Sequence, residues 1–270
     1  VGRLAEAARP ITGGLPFMDA VAPILAAVDP LLLLLVWLAV LAAAVLRAFT
    51  GFGFGLAAVP VFSLLMAPSQ AVVLSSSLTL AVSLVTVRSY WGVYPVRPLV
   101  PMLAAALLGT ALGVWLLGRL NVEQFQLWLG LAVVGTCLLL TRYRPRRREA
   151  GPVATGSAGL FSGVLNGAFA IPGPPIIVYA MATQDDPAKS RSLLLTFFLF
   201  SAALALVFYA VAGFVTPASP WLFALALPAM LIGDRLGQAL FSRFADRFYR
   251  RIALLVLFAV GLFIALNAVF

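Results

Sequence analysis

The sequence predicts an all-α integral membrane protein made of two inverted repeats, each a broken helical pair or re-entrant hairpin followed by three transmembrane helices. Three observations lead there. Of the 270 residues, 63% are hydrophobic and only 10% charged, with a mean hydropathy of +1.08, which leaves too little polar side chain to cover a water-facing surface. Apolar runs such as LLLLLVWLAVLAAAVL and IALLVLFAVGLFIALNAVF are long enough to cross a hydrocarbon core of about 30 Å as helices, and they lack the alternation of a barrel strand. Finally, two glycine- and proline-bearing interruptions recur in corresponding places along the chain.

The elements follow in order. Residues 1–30 are expected to be an N-terminal extracytoplasmic segment; Arg3 and Arg9 precede a stretch broken by Pro10, Gly13, Gly14, Pro16, Pro23 and Pro30, which reads poorly as a signal peptide. Residues 31–141 form the first repeat. Its opening stretch, 31–66, would make a helix of roughly 54 Å at 1.5 Å per residue, so the chain must break inside it, and Gly51, Gly53 and Gly55 mark the place. Full spans are expected near 69–88, 98–118 and 123–141. A basic cytoplasmic linker, 142–152, contains RYRPRRR. The second repeat, 153–270, breaks around LFSGVLNGAFAIPGPP and continues with spans near 190–214, 220–241 and 252–269.

Placing position n against n+112 pairs Thr50 with Ser162, Gly51 with Gly163, Gly55 with Gly167, Ala58 with Ala170 and Pro60 with Pro172. After small shifts Pro68 falls opposite Pro187, and at an offset of 124 Gly109 meets Gly233, Gly113 meets Gly237 and Arg119 meets Arg243. An odd number of elements per half inverts the halves. The basic residues agree: with the linker inside, Arg88, Arg97, Lys189, Arg191, Arg243, Arg247, Arg250 and Arg251 are also inside, and only Arg3, Arg9 and Arg119 lie outside. Both termini then face out.

Backbone that leaves the helix within a bilayer strands N–H and C=O groups unless protein, water or a ligand satisfies them. Paired breaks in inverted halves therefore point to a central substrate site in a secondary transporter. Helix N-termini favour an oxyanion there. Thr50, Ser162 and Asn166 offer uncharged hydrogen bonds, and Ser76, in the run SSSLT, adds a hydroxyl from a neighbouring span. Arg47, just before the first break, is a cation at a depth where charge is costly and faces a cavity or a partner, or else snorkels to an interface. Asp234, beside Arg235, is the acidic candidate for coupling to an ion, with a structural pair to a nearby arginine as the alternative.

Other functions are disfavoured. The net charge of +9 lies in short patches between apolar runs, which fits membrane orientation rather than nucleic-acid binding. A single cysteine, Cys137, and the absence of histidine give no support for a disulfide, a metal site or a histidine-based catalytic triad. Lys189, the sole lysine, sits in a loop, so a Ser-Lys enzyme is also disfavoured. The chain has no phosphate-binding GxxxxGK[ST] motif, and no cofactor is expected.

The segments GFGFGLAAVP and SGVLNGAFAIPGPPIIVY, each followed by a proline and a polar-started helix, resemble the TauE/SafE family of membrane anion permeases, also called the toluene-sulfonate uptake permease family. The resemblance runs from about 31 to 269. It implies transport, with export favoured, of small sulfur-containing or carboxylate anions such as sulfite, sulfoacetate or other organosulfonates across a bacterial inner membrane. By position it implies a site at Thr50, Gly51, Gly53, Gly55 and Pro60 with Ser162, Gly163, Asn166, Gly167, Pro172 and Gly173. A proton or sodium gradient would drive it. The competing expectation is a passive anion channel, or a carboxylate transporter of the same fold.

Overall fold

The computed structural model describes residues 30–50, 53–142, 151–244 and 247–268, so the N-terminal segment and most of the basic linker lie outside the described residues. Among the described residues there are ten α-helices and no β-strand. In chain order they are α1 (Pro30–Thr50), α2 (Phe54–Leu65), α3 (Pro68–Val85), α4 (Val100–Leu117), α5 (Val122–Arg142), α6 (Pro152–Phe169), α7 (Gly173–Thr183), α8 (Pro187–Val211), α9 (Ser219–Phe244) and α10 (Arg247–Asn267).

Local sequence accounts for many of these boundaries. Proline opens α3, α6 and α8, where its missing N–H has no intrahelical partner to lose. Asp186 caps α8 by accepting from the Ala188 N–H at 2.8 Å. Before α5, Asn121 and Gln124 cap each other: the Gln124 N–H donates to Asn121 Oδ1 at 2.7 Å, and the Asn121 N–H donates to Gln124 Oε1 at 3.2 Å.

Helices α1, α3, α4, α5 and α8 are long and apolar enough to cross a membrane. Leu31, Leu34, Leu38, Trp115 and Trp128 remain exposed on them, as a lipid-facing surface requires. Helix α6 is as long as α3, at 18 residues, but turns Thr155, Ser162 and Asn166 inward. The 26-residue α9 buries Asp234.

In each half a full-length helix is followed by a short one. The 12 residues of α2 and 11 of α7 rise only about 18 Å and 17 Å, roughly half of the hydrocarbon thickness. Each pair is therefore a long arm and a half-length arm, rather than two equal spans.

The packing is reciprocal between halves. Helix α1 packs against α9 and α6 against α4, so the first helix of each half lies on the fourth helix of the other; α3 lies on α8, and α5 on α10. The α4–α6 crossing is the closest. Side chains added at Gly109 or Gly113 would collide with the Leu160 and Val164 carbonyls, and at Gly159, Gly163 or Gly167 with the Met102, Ala106 and Thr110 carbonyls. At the matching α1–α9 crossing, Gly233 and Gly237 face Leu41, Ala44, Val45 and Ala48. Small residues let backbones meet where lipid provides no hydrophobic drive for helix association.

These contacts correct the alignment of the halves. Gly109 and Gly233 touch Leu160 and Leu41, which are 119 positions apart, as are the helix-opening Pro68 and Pro187 and the first residues of α2 and α7. Contacts and helix starts in α1–α3 and α6–α8 are thus spaced by 119 residues rather than 112, whereas Gly109 and Gly233, at the matching crossings, are 124 apart. Seven residues are close to two helical turns, so the slip preserved the small-residue face and concealed itself.

Candidate functional site

The two breaks meet. Gly53 ends the first with φ 94° and ψ 12°, a left-handed conformation that glycine adopts without strain. In the second, α6 ends on Ala170 at φ 54°, whose N–H donates to the Asn166 carbonyl at 2.8 Å, while the Ile171 N–H reaches the Leu165 carbonyl at 3.2 Å. Gly55, in the first turn of α2, lies so close to the Ala170 carbonyl that a side chain would overlap it. Between them is a cavity of about 30 Å³ lined by Arg47, Gly53, Phe54, Gly55, Leu56, Thr79, Ala170, Ile171, Pro172, Gly173 and Phe198.

The walls differ in chemistry. A helix start leaves its first N–H groups without intrahelical partners, and no side chain caps α2, so its first turn directs backbone donors toward this region. Helix α7 follows Pro172 and begins Gly173-Pro174-Pro175; the prolines have no N–H, leaving Gly173 as the donor. Arg47 supplies the only charge among the lining residues.

Arg47 is buried, at 8% exposure, and is held by an ion pair rather than snorkelling outward. Its Nη1 donates to Asp234 Oδ1 at 2.7 Å, and Gln238 Nε2 donates to Asp234 Oδ2, also at 2.7 Å. The partner of Asp234 is thus Arg47, 187 residues away, and not the adjacent Arg235. Arg47 also lines a second cavity of about 20 Å³ with Ala48, Thr86, Ser89, Arg191, Leu195, Asp234 and Gln238.

Of the residues singled out from sequence, Arg47, Gly53, Gly55, Pro172 and Gly173 come together at the central cavity. Gly51 and the side chain of Thr50 lie outside the described residues. Gly163 and Gly167 instead face α4 in the helix crossing. Pro60 is buried within α2, where its carbonyl accepts from Ser63 Oγ at 2.7 Å.

Asn166 braces the second break instead of lining the cavity. Its Nδ2 donates to the Ser201 carbonyl at 2.8 Å, and the Tyr209 hydroxyl donates to the carbonyls of Asn166 and Gly167 at 2.8 and 3.1 Å. Ser76 lies beside that tyrosine hydroxyl, joining α3 to the same buried cluster, and Ser162 is fully buried one turn before Asn166. Thr79 closes the SSSLT run, whereas Phe198, Arg191 and Gln238 emerge only in three dimensions. The i, i+4 spacing of Asp234 and Gln238 was the one local signal for any of them.

Larger clefts lie elsewhere. One of about 610 Å³ runs between α5, α6 and α7, lined by residues such as Leu139, Phe161, Leu165 and Tyr179, and no charged residue lines it. An anion there would lack a counter-charge, whereas the small central cavity offers a guanidinium and backbone donors. Among the described residues no cluster of ligands suited to a metal ion occurs.

No solved structure matches the chain. A protein of Cupriavidus necator described as "Probable sulfite/organosulfonate exporter TauE" is 28% identical over 145 residues, covering 53% of this chain and 57% of that protein. The matched region thus spans little more than half the length of this curated relative. The family profile described as "Sulfite exporter TauE/SafE" matches residues 36–264, taking in both breaks and all the helices that surround them. The chain belongs to the sulfite exporter TauE/SafE family.

Proposed function

We propose that this protein is a secondary active transporter that exports small sulfur-containing anions, sulfite or organosulfonates such as sulfoacetate, across a bacterial inner membrane. In this reading residues 31–141 and 153–270 are inverted repeats, both termini are extracytoplasmic, and the central cavity is the substrate site. The observation that carries it is the convergence of the two breaks on Arg47: a buried guanidinium, the first turn of α2 and Gly173 surround one cavity. Reciprocal packing of α1 on α9 and α6 on α4 supports a two-fold relation between the halves. Sulfur enters from the family and from the description of the Cupriavidus relative.

The cavity of about 30 Å³ has room for roughly one or two waters. A sulfonate requires it to widen, and alternating access would do so by moving the elements that bear the two breaks relative to each other. A proton or sodium gradient would drive the cycle.

Reconstituted protein tests this reading. Sulfite or sulfoacetate trapped inside vesicles should drive saturable uptake of the labelled anion, and an imposed proton or sodium gradient should separate the two couplings. Flux that is linear in concentration, with no counterflow, would mark a channel and overturn the transporter reading.

A further inference from the structure

We propose that the buried Arg47–Asp234 pair is an anion-operated latch between the central cavity and a vestibule at Arg191, and that its charge balance selects monoanions over dianions. The proposal rests on the central cavity being the substrate site. Arg47 is the one residue that lines both the central cavity and the smaller cavity beside it. Arg47 therefore stands at the boundary of both. Asp234 approaches it from the side of the second cavity and occupies the position that an incoming anion would need.

The hydrogen bonding gives the carboxylate two separate tethers. Oδ1 accepts from Arg47 and Oδ2 from Gln238, one turn further along α9. When an anion takes over Arg47, Gln238 still holds Asp234, so the carboxylate can yield the guanidinium without losing all its partners. Arg191, exposed at the start of α8, faces the same cavity and has no carboxylate partner among the described residues. It supplies the charge that draws the anion in.

The charged groups lining this cavity are Arg47, Arg191 and Asp234, a net charge of +1. One monoanion neutralises them. A dianion leaves an excess negative charge beside a buried carboxylate, which is costly away from water. A singly charged sulfonate or hydrogensulfite fits this balance; sulfate does not, and sulfoacetate, a dianion through its added carboxylate, would be the poorer ligand among the proposed substrates. Removing the charge of Asp234 raises the net charge to +2 and should reverse the preference.

Methanesulfonate and sulfate are suitable probes because neither changes its charge near neutral pH. The concentration of each that half-saturates thermal stabilisation of the purified full chain reports its binding, with ionic strength held constant. In the unaltered protein methanesulfonate should bind at least tenfold more tightly than sulfate. Asp234→Asn, which retains an oxygen for Arg47, should shift the ratio at least tenfold toward sulfate. Arg191→Glu, on an exposed position that does not threaten folding, should abolish stabilisation by both anions.

An unchanged ratio in Asp234→Asn, or undiminished binding in Arg191→Glu, overturns the latch while leaving the central site standing. If Asp234→Asn does not fold, Arg191→Glu decides alone. Absence of stabilisation by either anion in the unaltered protein removes the central anion site itself, and the latch with it.

Discussion

The two chain breaks occupy equivalent places in the fold and solve the same backbone problem in opposite ways. The first uses Gly53 in a left-handed conformation and leaves the start of α2 without a side-chain cap. Arg47 stands beside it. The second closes α6 through backbone hydrogen bonds at Ala170 and starts α7 with prolines. At the spacing of 119 residues that separates Pro187 from Pro68, Asn166 falls opposite Arg47. Arg47 is committed to a carboxylate at a cavity, whereas Asn166 ties α6 to α8. One break is equipped for electrostatics and the other for rigidity, so similar packing need not mean similar chemistry.

The largest test of this contrast lies at the charged side. Asp234→Ala leaves Arg47 buried without its counter-charge and should cost about 3–5 kcal/mol, seen as a large fall in unfolding temperature. Replacing Arg47 by Met and Asp234 by Leu together should recover most of that stability while abolishing anion binding. Persistence of anion binding in the double variant would show that Arg47 does not contact the substrate.

The contact between the breaks comes next. Gly55→Ala pushes a methyl group into the Ala170 carbonyl, a rigid neighbour, and should cost about 1–3 kcal/mol. Gly163→Ala should cost a similar amount because it meets the Ala106 carbonyl. The two should separate in function: thermal shifts with methanesulfonate should weaken in Gly55→Ala and persist in Gly163→Ala. Equal loss in both would mean that α4–α6 packing shapes the site as strongly as the breaks do.

A smaller effect compares the two left-handed residues. Gly53→Ala should destabilise by about 1–2 kcal/mol, the cost of a side chain in that conformation. Ala170→Gly relieves the same cost but adds freedom to the unfolded chain, so it should change stability by less than about 1 kcal/mol. The smallest effect should come from Asn121→Ala, which removes half of the capping box that opens α5, at about 1 kcal/mol or less; anion binding should be unchanged.

The sequence made the helices and the existence of the breaks legible because glycine, proline and apolar length act locally. Prolines 68, 152 and 187 marked helix starts for the same reason. Long-range partners were not legible. Asp234 has Arg235 as its chain neighbour, but successive residues on a helix point in different directions, and only the α1–α9 crossing brings Arg47 to it. Glycines also carry two meanings that composition cannot separate. Gly53 and Gly55 border the cavity, while Gly163 and Gly167 let two helix backbones touch. The hydroxyl of Ser162 and the amide of Asn166 look equally available in one dimension, yet both are buried in packing.

The exchange of first and fourth helices has a mechanical consequence. Because α6 lies against α4 backbone to backbone, and α1 lies against α9, neither half of the chain owns a complete bundle. Each half exposes a groove that only the other can fill, as in two hands clasped with the fingers crossed. Any rigid body built on these contacts is therefore chimeric, assembled from segments of both halves. The two halves of the chain are thus interlocked through their helices rather than set side by side.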